Sequence, residues 1–223
     1  MNAPTISIII PVLDEEDQIG GLLRRLPEGM EIIVVDGGST DSTVEIASSY
    51  GCKVITNGKG RALQMNAGAE IASGDLLVFL HADCLLPSKF LYELELFWLS
   101  ERVWGRFNVK IDSYLMAFRV IEKMMNLRSL LTGICTGDQA MFVQRSVFEQ
   151  VEGFPSVALM EDIELSKRLN RISKPYAISN PVQTSARRWL KNGILQTILL
   201  MWRLRLLYFF GAAPNKLLLQ YYK

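Results

Sequence analysis

The chain has 223 residues, of which 49% are hydrophobic, and its formal net charge is +1. This length allows one large domain with its own core, and the balanced charge gives no electrostatic case for a nucleic-acid partner. Three cysteines without Cys-x-x-Cys spacing indicate reduced thiols in the cytoplasm, and a single histidine excludes a multi-histidine metal centre. The amino terminus lacks a basic n-region, so we expect no signal peptide.

The first half of the chain alternates between strand and helix patterns. Ile6–Val12 is rich in β-branched residues and predicts a buried strand. Further strands are expected at 32–35, 52–55 and 76–80, and each is followed by a helical pattern. Ser42 and Glu45 have the capping-box spacing that opens the second helix. This alternation predicts a doubly wound α/β fold, with a mostly parallel central sheet flanked by helices.

The stretch from Asp75 to Asp83 carries the strongest functional signal. Its apolar part, residues 76–80, is too short for a helix and predicts a strand buried on both faces of a parallel sheet. His81 and Asp83 follow at the carboxyl end of this strand, where open α/β sheets bind ligands. We therefore expect Asp83 to hold a divalent cation on a nucleotide diphosphate. The alternative is a carboxylate that caps the next helix, near Ser88.

The second half of the chain is less regular. Strand patterns at 106–111 and 140–143 lie on either side of a Met-rich helical stretch over 114–128. Glu161 and Asp162 open another helix, and a strand pair is expected near 176–185.

The segment 193–213 is apolar enough to suggest a membrane span. Arg203 and Arg205 argue against a span, because each would cost roughly 2.5–3.5 kcal/mol near its centre and the two point in different directions on a helix. We therefore expect a catalytic domain at 1–189 and an apolar helical appendage at 190–223. The appendage would lie in the membrane interface at the inner face, pack on the domain, or form a homodimer contact.

Five short blocks of sequence, in this order, resemble the family 2 glycosyltransferases with a GT-A fold. They are Pro-Val-Leu-Asp-Glu-Glu at 11–16, Val-Val-Asp-Gly-Gly-Ser-Thr-Asp at 34–41, Gly-Arg through Asn-Ala-Gly at 60–68, His-Ala-Asp at 81–83 and Glu-Asp at 161–162. Each block alone is a weak signal, but five in register over about 5–189 are specific. Within the family the chain is similar to small bacterial members associated with arsenosugar biosynthesis.

The resemblance implies transfer of a sugar, with inversion, from a nucleotide diphosphate donor such as a UDP-sugar to a hydroxyl acceptor. Asp36 would recognise the base, since a carboxylate can accept a hydrogen bond from the ring N–H of uracil; the alternative is a turn residue before two glycines. Arg61 would offer a guanidinium fork to phosphate oxygens. The remaining residues that would line the nucleoside pocket are Pro11, Val12 and Leu13, with Glu15 or Glu16.

The block His81-Ala82-Asp83 departs from the family pattern, which has Asp-x-Asp. The resemblance implies that Asp83 keeps the contact with Mg²⁺ or Mn²⁺, the cation that neutralises the leaving diphosphate. His81 and Ala82 would then face the nucleotide. His81 could instead ligate Mn²⁺, because imidazole is a poor partner for Mg²⁺.

The resemblance also assigns the acceptor side. Asp162 matches the carboxylate base that removes the proton from the acceptor hydroxyl; the alternative is that Glu161 and Asp162 only supply negative charge to a helix amino terminus. Asp138 and Glu161 are expected to bind the acceptor. Arg188 and Trp189 resemble the end of a Gln-x-x-Arg-Trp signature of processive relatives, but the preceding glutamine is one residue out of place. We therefore expect a single-transfer enzyme with Arg188 and Trp189 at its substrates.

Two rival functions remain open on the sequence alone. A nucleotidyltransferase would also use metal-bound aspartate, but it needs a glycine-rich basic loop after the first strand, where this chain has acidic residues 14–16. A non-catalytic nucleotide-binding or membrane-docking protein is the other rival.

Overall fold

The computed structural model describes residues 3–221. The strands are β1 (Ile6–Val12), β2 (Glu31–Asp36), β3 (Lys53–Thr56), β4 (Leu76–Phe79), β5 (Cys84–Leu85), β6 (Trp104–Asp112), β7 (Phe142–Gln144) and β8 (Tyr176–Ser185). They form one sheet in the order β3-β2-β1-β4-β7-β6-β8-β5. The first four in this order are parallel, as are β6 and β8, whereas β7 and β5 are antiparallel to their neighbours. The expected mostly parallel sheet is confirmed.

The helices are α1 (Glu16–Leu23), α2 (Thr43–Ser49), α3 (Arg61–Ile71), α4 (Phe90–Trp98), α5 (Met116–Thr132), α6 (Arg145–Gln150), α7 (Glu161–Asn170), α8 (Arg187–Asn192), α9 (Ile194–Phe209) and α10 (Pro214–Tyr221), with a 3₁₀ turn at Gly137–Gln139. They cover both faces of the sheet. Ile8 and Ile10 pack with residues of α1 and α4, while Ile9 packs with residues of α3 and α7. Successive side chains of a strand point to opposite faces, so burial on both sides explains the unbroken apolar run of β1.

The packing of α3 against the sheet depends on Gly68. A Cβ at this position would lie 2.5 Å from Cγ2 of Ile9 and 3.0 Å from Cγ2 of Val35. Helix α3 therefore lies directly against β1 and β2, and Gln64 in its first turn donates to the carbonyls of Val12 and Val35, at the carboxyl ends of those strands. This close approach of the helix to the strands fixes the position of the backbone at Arg61.

Two local expectations and the capping alternative for Asp83 are wrong. Helix α2 has no side-chain cap from Ser42; Asp41 instead accepts the hydrogen bond from the backbone N–H of Thr43 over 3.0 Å. Helix α4 begins at Phe90 without a side-chain cap, so Asp83 does not cap it. The expected strand pair is the single strand β8, whose Pro181 lies where the pairing with β6 shifts register. A bulge of this kind tolerates the N–H that proline lacks.

The apolar carboxyl-terminal segment folds back onto the rest of the chain. Among residues 3–221, no helix is both long and apolar enough to cross a membrane. Leu204 of α9 and Leu217 of α10 are fully buried and pack with Leu159 and Met160, which directly precede α7. The expected boundary at residue 189 falls inside α8, and α9 forms part of the wall of the site described next.

Candidate functional site

A cavity of about 1010 Å³ opens where β1, β4 and β8 end. These carboxyl ends lie at the same edge of the sheet, because the strands are parallel or separated by paired reversals. Most of the residues predicted from the sequence line this one cavity, from segments far apart in the chain. They are Pro11, Glu15, Arg61, His81, Ala82, Asp83, Asp138, Glu161, Asp162, Arg188 and Trp189.

Three predicted nucleotide contacts do not line the cavity: Val12, Leu13 and Asp36. Asp36 is buried, and its carboxylate accepts hydrogen bonds from the backbone N–H groups of Gly38 (2.9 Å) and Ser39 (3.1 Å). The carbonyl of Val12 accepts from the N–H of Gly37 over 2.9 Å. These bonds tie the ends of β1 and β2 together. The structure thus supports the alternative in which Asp36 is a turn residue. The role of Asp36 in base recognition stays a prediction.

His81 faces Asp138 across the cavity. Its Nδ1 lies 3.7 Å from Oδ1 of Asp138, and its ring lies so close to Gly137 that a Cβ there would be 2.2 Å from Cε1. Burial raises the pKa of Asp138, but the interaction with His81 and the charges of Arg61 and Arg188 outweigh it, and the pKa lies below its ordinary value. Asp138 is therefore an anion held among cationic groups.

Asp162 is held by two backbone donors at the start of α7. Its Oδ2 accepts a hydrogen bond from the N–H of Gly137 (3.1 Å) and its Oδ1 from the N–H of Ile163 (2.7 Å). Met160, just before the acidic pair, has φ of 72°. A left-handed non-glycine residue costs of order 1–3 kcal/mol and is common at functional sites. The two hydrogen bonds thus fix the position of the carboxylate. Asp162 also lies in the first turn of α7, which agrees with the alternative that it only supplies negative charge to the helix amino terminus.

Glu161 differs from its neighbour because its side chain is buried. Its pKa is raised by burial first and by the negative charge of Asp162 second, and the charges of Arg61 and His81 only partly offset this. Glu161 therefore binds a proton more readily than an ordinary glutamate does.

Asp83 lies in the turn between β4 and β5. Its carbonyl accepts a hydrogen bond from the N–H of Ser185 over 3.2 Å, and the thiol of Cys84 lies 3.6 Å from its Oδ1. Burial and the charges of Asp83 and Asp138 hold the pKa of the Cys84 thiol well above its usual range, so this sulfur is a poor metal ligand. One carboxylate facing a cavity fits Mg²⁺ or Mn²⁺, which commonly uses one or two protein carboxylates together with substrate phosphates.

No closed metal site made of protein groups alone exists in the part of the chain that the structure describes, since no three His, Cys, Asp or Glu side chains converge there. Any cation held by Asp83 must complete its coordination with ligand and water oxygens.

Two arginines at the carboxyl end of β8 have protein partners. Arg187 forms an ion pair with Glu15 (3.0 Å). The guanidinium of Arg188 stacks on the ring of Tyr221 at 3.6 Å and donates to its carbonyl over 3.0 Å. Helix α10 therefore holds one wall of the cavity.

Helices α5 and α9 contribute lining residues that sequence reasoning did not find. They are mainly apolar or cationic: Ile121, Met124, Met125, Arg128, Ile198, Leu199, Met201, Trp202, Arg203, Arg205, Leu206 and Phe209. Trp189 packs against Phe118 of α5, with ring centroids 6.2 Å apart. The Met-rich pattern of α5 was the available signal, but only the tertiary fold turns α5 and α9 toward the strand ends.

Comparison with known proteins finds similarity to glycosyltransferases. The probable glycosyltransferase YdaM of Bacillus subtilis is 26% identical over 195 residues, which cover 74% of this chain and 46% of YdaM. The chain aligns with between 30% and 49% of the length of the curated relatives.

Two solved structures have a similar fold. Glucosyl-3-phosphoglycerate synthase from Mycobacterium tuberculosis, in complex with Mn²⁺, UDP and glucosyl-3-phosphoglycerate, has a TM-score of 0.60 at 20% identity, covering 81% of this chain and 72% of that one. The mannosyltransferase PcManGT from Pyrobaculum calidifontis, in complex with GDP-Man and Mn²⁺, has a TM-score of 0.60 at 21% identity, covering 83% and 57%. These likenesses confirm the GT-A fold.

The family assignment rests on a match that covers more than half of the chain. The model of the family described as glycosyl transferase family 2 matches residues 7–151, which include β1 without its first residue, β2 to β7 and four of the five sequence blocks. The chain therefore belongs to glycosyl transferase family 2.

Proposed function

We propose that the protein is an inverting glycosyltransferase that moves a sugar from a nucleotide diphosphate donor to a hydroxyl acceptor. The observation that carries this proposal is the shared cavity: Arg61, Asp83 and Asp162 line it together, although they come from three distant segments. Displacement at a sugar phosphate requires a cationic group, a metal-binding carboxylate and a base that face the same space.

Arg61, His81 and Asp83 form the donor end of the site in this proposal. The arginine binds diphosphate oxygens, and Asp83 would hold the cation. When bound, Mg²⁺ or Mn²⁺ supplies positive charge that neutralises the departing diphosphate. UDP is our proposed carrier, supported by the UDP complex of glucosyl-3-phosphoglycerate synthase; the GDP-Man complex of PcManGT makes a guanosine carrier the alternative. Asp36 would bind the base, next to Pro11, Val12, Leu13 and Glu15.

Asp162 acts as the base in the proposed reaction. The acceptor oxygen forms a bond to the anomeric carbon while the bond from that carbon to the diphosphate oxygen breaks, and the hydroxyl proton passes to Asp162. The N–H groups of Gly137 and Ile163 fix the carboxylate, so little motion is needed during the transfer. Asp138 and Glu161 would contact the acceptor, and Arg188 with Trp189 would close the substrate pocket.

The nucleotidyltransferase rival has less support. The turn after β1 is acidic, and Oδ1 of Asp14 accepts a hydrogen bond from the N–H of Thr40 over 2.8 Å. This turn therefore offers carboxylates where a triphosphate would need donors and cations. Release of pyrophosphate from a nucleoside triphosphate and a sugar phosphate would reverse this preference.

A peripheral role for α9 accompanies the proposed activity. Trp202, Phe209 and Phe210 of this region are 62%, 82% and 76% exposed, which suits contact with a membrane interface or with a second copy of the chain. Vesicle flotation and sedimentation velocity would separate these two contacts. A protein that stays monomeric and does not float would exclude both.

The proposed function is tested by thermal denaturation with a panel of nucleoside diphosphates, with and without Mn²⁺. We expect UDP with Mn²⁺ to raise the melting temperature of the wild type. Asp83→Ala should lose the metal-dependent part of the shift, whereas Asp17→Ala, an exposed acid on α1, should keep it. The proposal fails if no nucleoside diphosphate shifts the wild type.

A further inference from the structure

Two arginines in the cavity wall have no role in the reaction described above. Arg128 lies on α5 and Arg205 on α9, and both line the cavity. Nε and Nη2 of Arg128 and Nε of Arg205 are buried, and no residue within 3–221 accepts a hydrogen bond from them. A buried donor without an acceptor costs about 1–3 kcal/mol, and more when it carries charge. Such groups are expected where a ligand supplies the missing acceptors.

The charges around Arg128 also favour the binding of an anionic ligand. Its pKa is lowered to about 10, first by burial and next by the positive charge of Arg205, while the charge of Asp162 acts in the opposite direction. The two guanidinium groups therefore repel each other inside the cavity. An anion between them would satisfy the buried N–H groups and remove the repulsion.

This cationic pair lies on α5 and α9, whereas Arg61 at the donor end lies on α3 and His81 in the turn after β4. The charged groups that act on Asp138 are His81, Arg61 and Arg188, whereas those that act on Arg128 are Arg205, Asp162, Cys135 and Arg106. Both arginines line the same cavity as Asp162, the carboxylate that would accept the proton from the acceptor, and the charge of Asp162 acts on Arg128.

We propose that the acceptor carries a phosphate or carboxylate in addition to its hydroxyl, and that Arg128 and Arg205 bind this anionic group beside Asp162. This inference rests on the proposed glycosyl transfer. The guanidinium fork matches both anions in a bidentate arrangement. Binding the anion at this point would place the acceptor hydroxyl near the base.

Binding is tested with inorganic phosphate as the probe, by calorimetry on the protein saturated with UDP and Mg²⁺. We expect the wild type to bind phosphate and Arg128→Met or Arg205→Met to weaken this binding about tenfold or more, the loss of one charge-assisted contact. Arg171→Met, at the far end of α7 and exposed, is the matched control and should bind as the wild type does. Unchanged affinity in the two cavity variants overturns the inference, as does competition between phosphate and UDP.

The same variants separate ligand binding from a structural role. Methionine keeps the apolar stem of the side chain and removes a buried, unpaired charge, so Arg128→Met should melt at or above the wild-type temperature. A large fall in melting temperature together with normal phosphate binding would make Arg128 a structural residue. If UDP does not bind at all, the proposed function fails, and the phosphate titration without nucleotide still tests the arginine pair.

Transfer assays then identify the source of the anion. The acceptors are glycerol 3-phosphate against glycerol, and a monoacylglycerol phosphate against the monoacylglycerol, with a UDP-sugar panel. We expect product only from the phosphorylated member of a pair, and Arg205→Met should raise KM for that acceptor while KM for the donor stays constant. Equal transfer to the neutral members overturns the inference; if no acceptor reacts, the calorimetric result decides.

Discussion

Gly137 donates its backbone N–H to Oδ2 of Asp162 over 3.1 Å, and the ring of His81 lies directly against the same glycine. One 3₁₀ turn thereby connects His81, two residues after β4, with Asp162, the second residue of α7. Because His81 also faces Asp138, a small displacement of this turn moves the expected donor and acceptor groups together.

The first prediction concerns Gly137→Ala. A Cβ there would lie 2.2 Å from Cε1 and 2.3 Å from Nε2 of His81, so the ring or the turn must shift. Misplacement by about 1 Å can cost on the order of a hundredfold in rate, and we expect kcat/KM to fall at least tenfold. Gly21→Ala on α1, where a Cβ meets nothing within 4 Å, should be neutral. Wild-type turnover by Gly137→Ala would show that the turn is not part of the reacting geometry.

The second prediction concerns Asp162→Asn. The amide retains the size of the side chain but cannot take the proton, so transfer should fall by about 10²–10⁴-fold, while the shift in melting temperature with UDP stays within error of the wild type. Glu164→Gln is the control on the same helix, since Glu164 bonds to Lys167 and Tyr208 and does not line the cavity. An active Asp162→Asn enzyme would exclude the base assignment and favour a helix-terminal role.

The buried strands could be predicted from the sequence because each has a continuous apolar run that only two covered faces explain. The carboxyl ends of β1 and β4 could also be located in the sequence, because polar residues such as His81 and Asp83 directly follow the apolar run. Ser42 was misleading because Asp41, one residue earlier, reaches the N–H of Thr43. Capping depends on backbone angles that spacing alone does not specify.

The cationic pair could not be predicted. Arg128 and Arg205 lie far apart in the sequence. They are on two helices that pack through other residues of the same helices, the buried Phe118 of α5 and Leu204 of α9. In the sequence Arg205 only argued against a membrane span, and its orientation into the cavity follows from the return of α9 over α7. The periodicity of a predicted helix shows on which side of the helix a residue lies, but it does not show which other element packs against that side.

The last prediction concerns the dependence of stability on pH through Glu31 of β2. Burial raises the pKa of Glu31, but bonds from Lys53, Ser7 and Ser73 outweigh it and lower the pKa from 4.5 to about 2. Lys53 on β3 approaches Oε1 to 2.5 Å, and the N–H of Ser73 approaches Oε2 to 2.7 Å. A carboxyl group with a depressed pKa stabilises the fold above pH 4.5, and this contribution is lost as the pH falls toward 2.

Glu31→Gln should therefore lower the free energy of unfolding on the order of 2–3 kcal/mol at pH 7, and the difference from the wild type should shrink between pH 4.5 and 2. Urea unfolding at a series of pH values measures this difference. Glu28→Gln, an exposed neighbour before β2, serves as the control and should show no comparable change. A constant difference between Glu31→Gln and the wild type at every pH would mean that side-chain shape, and not the ionised carboxylate that joins β1, β2 and β3, stabilises this end of the sheet.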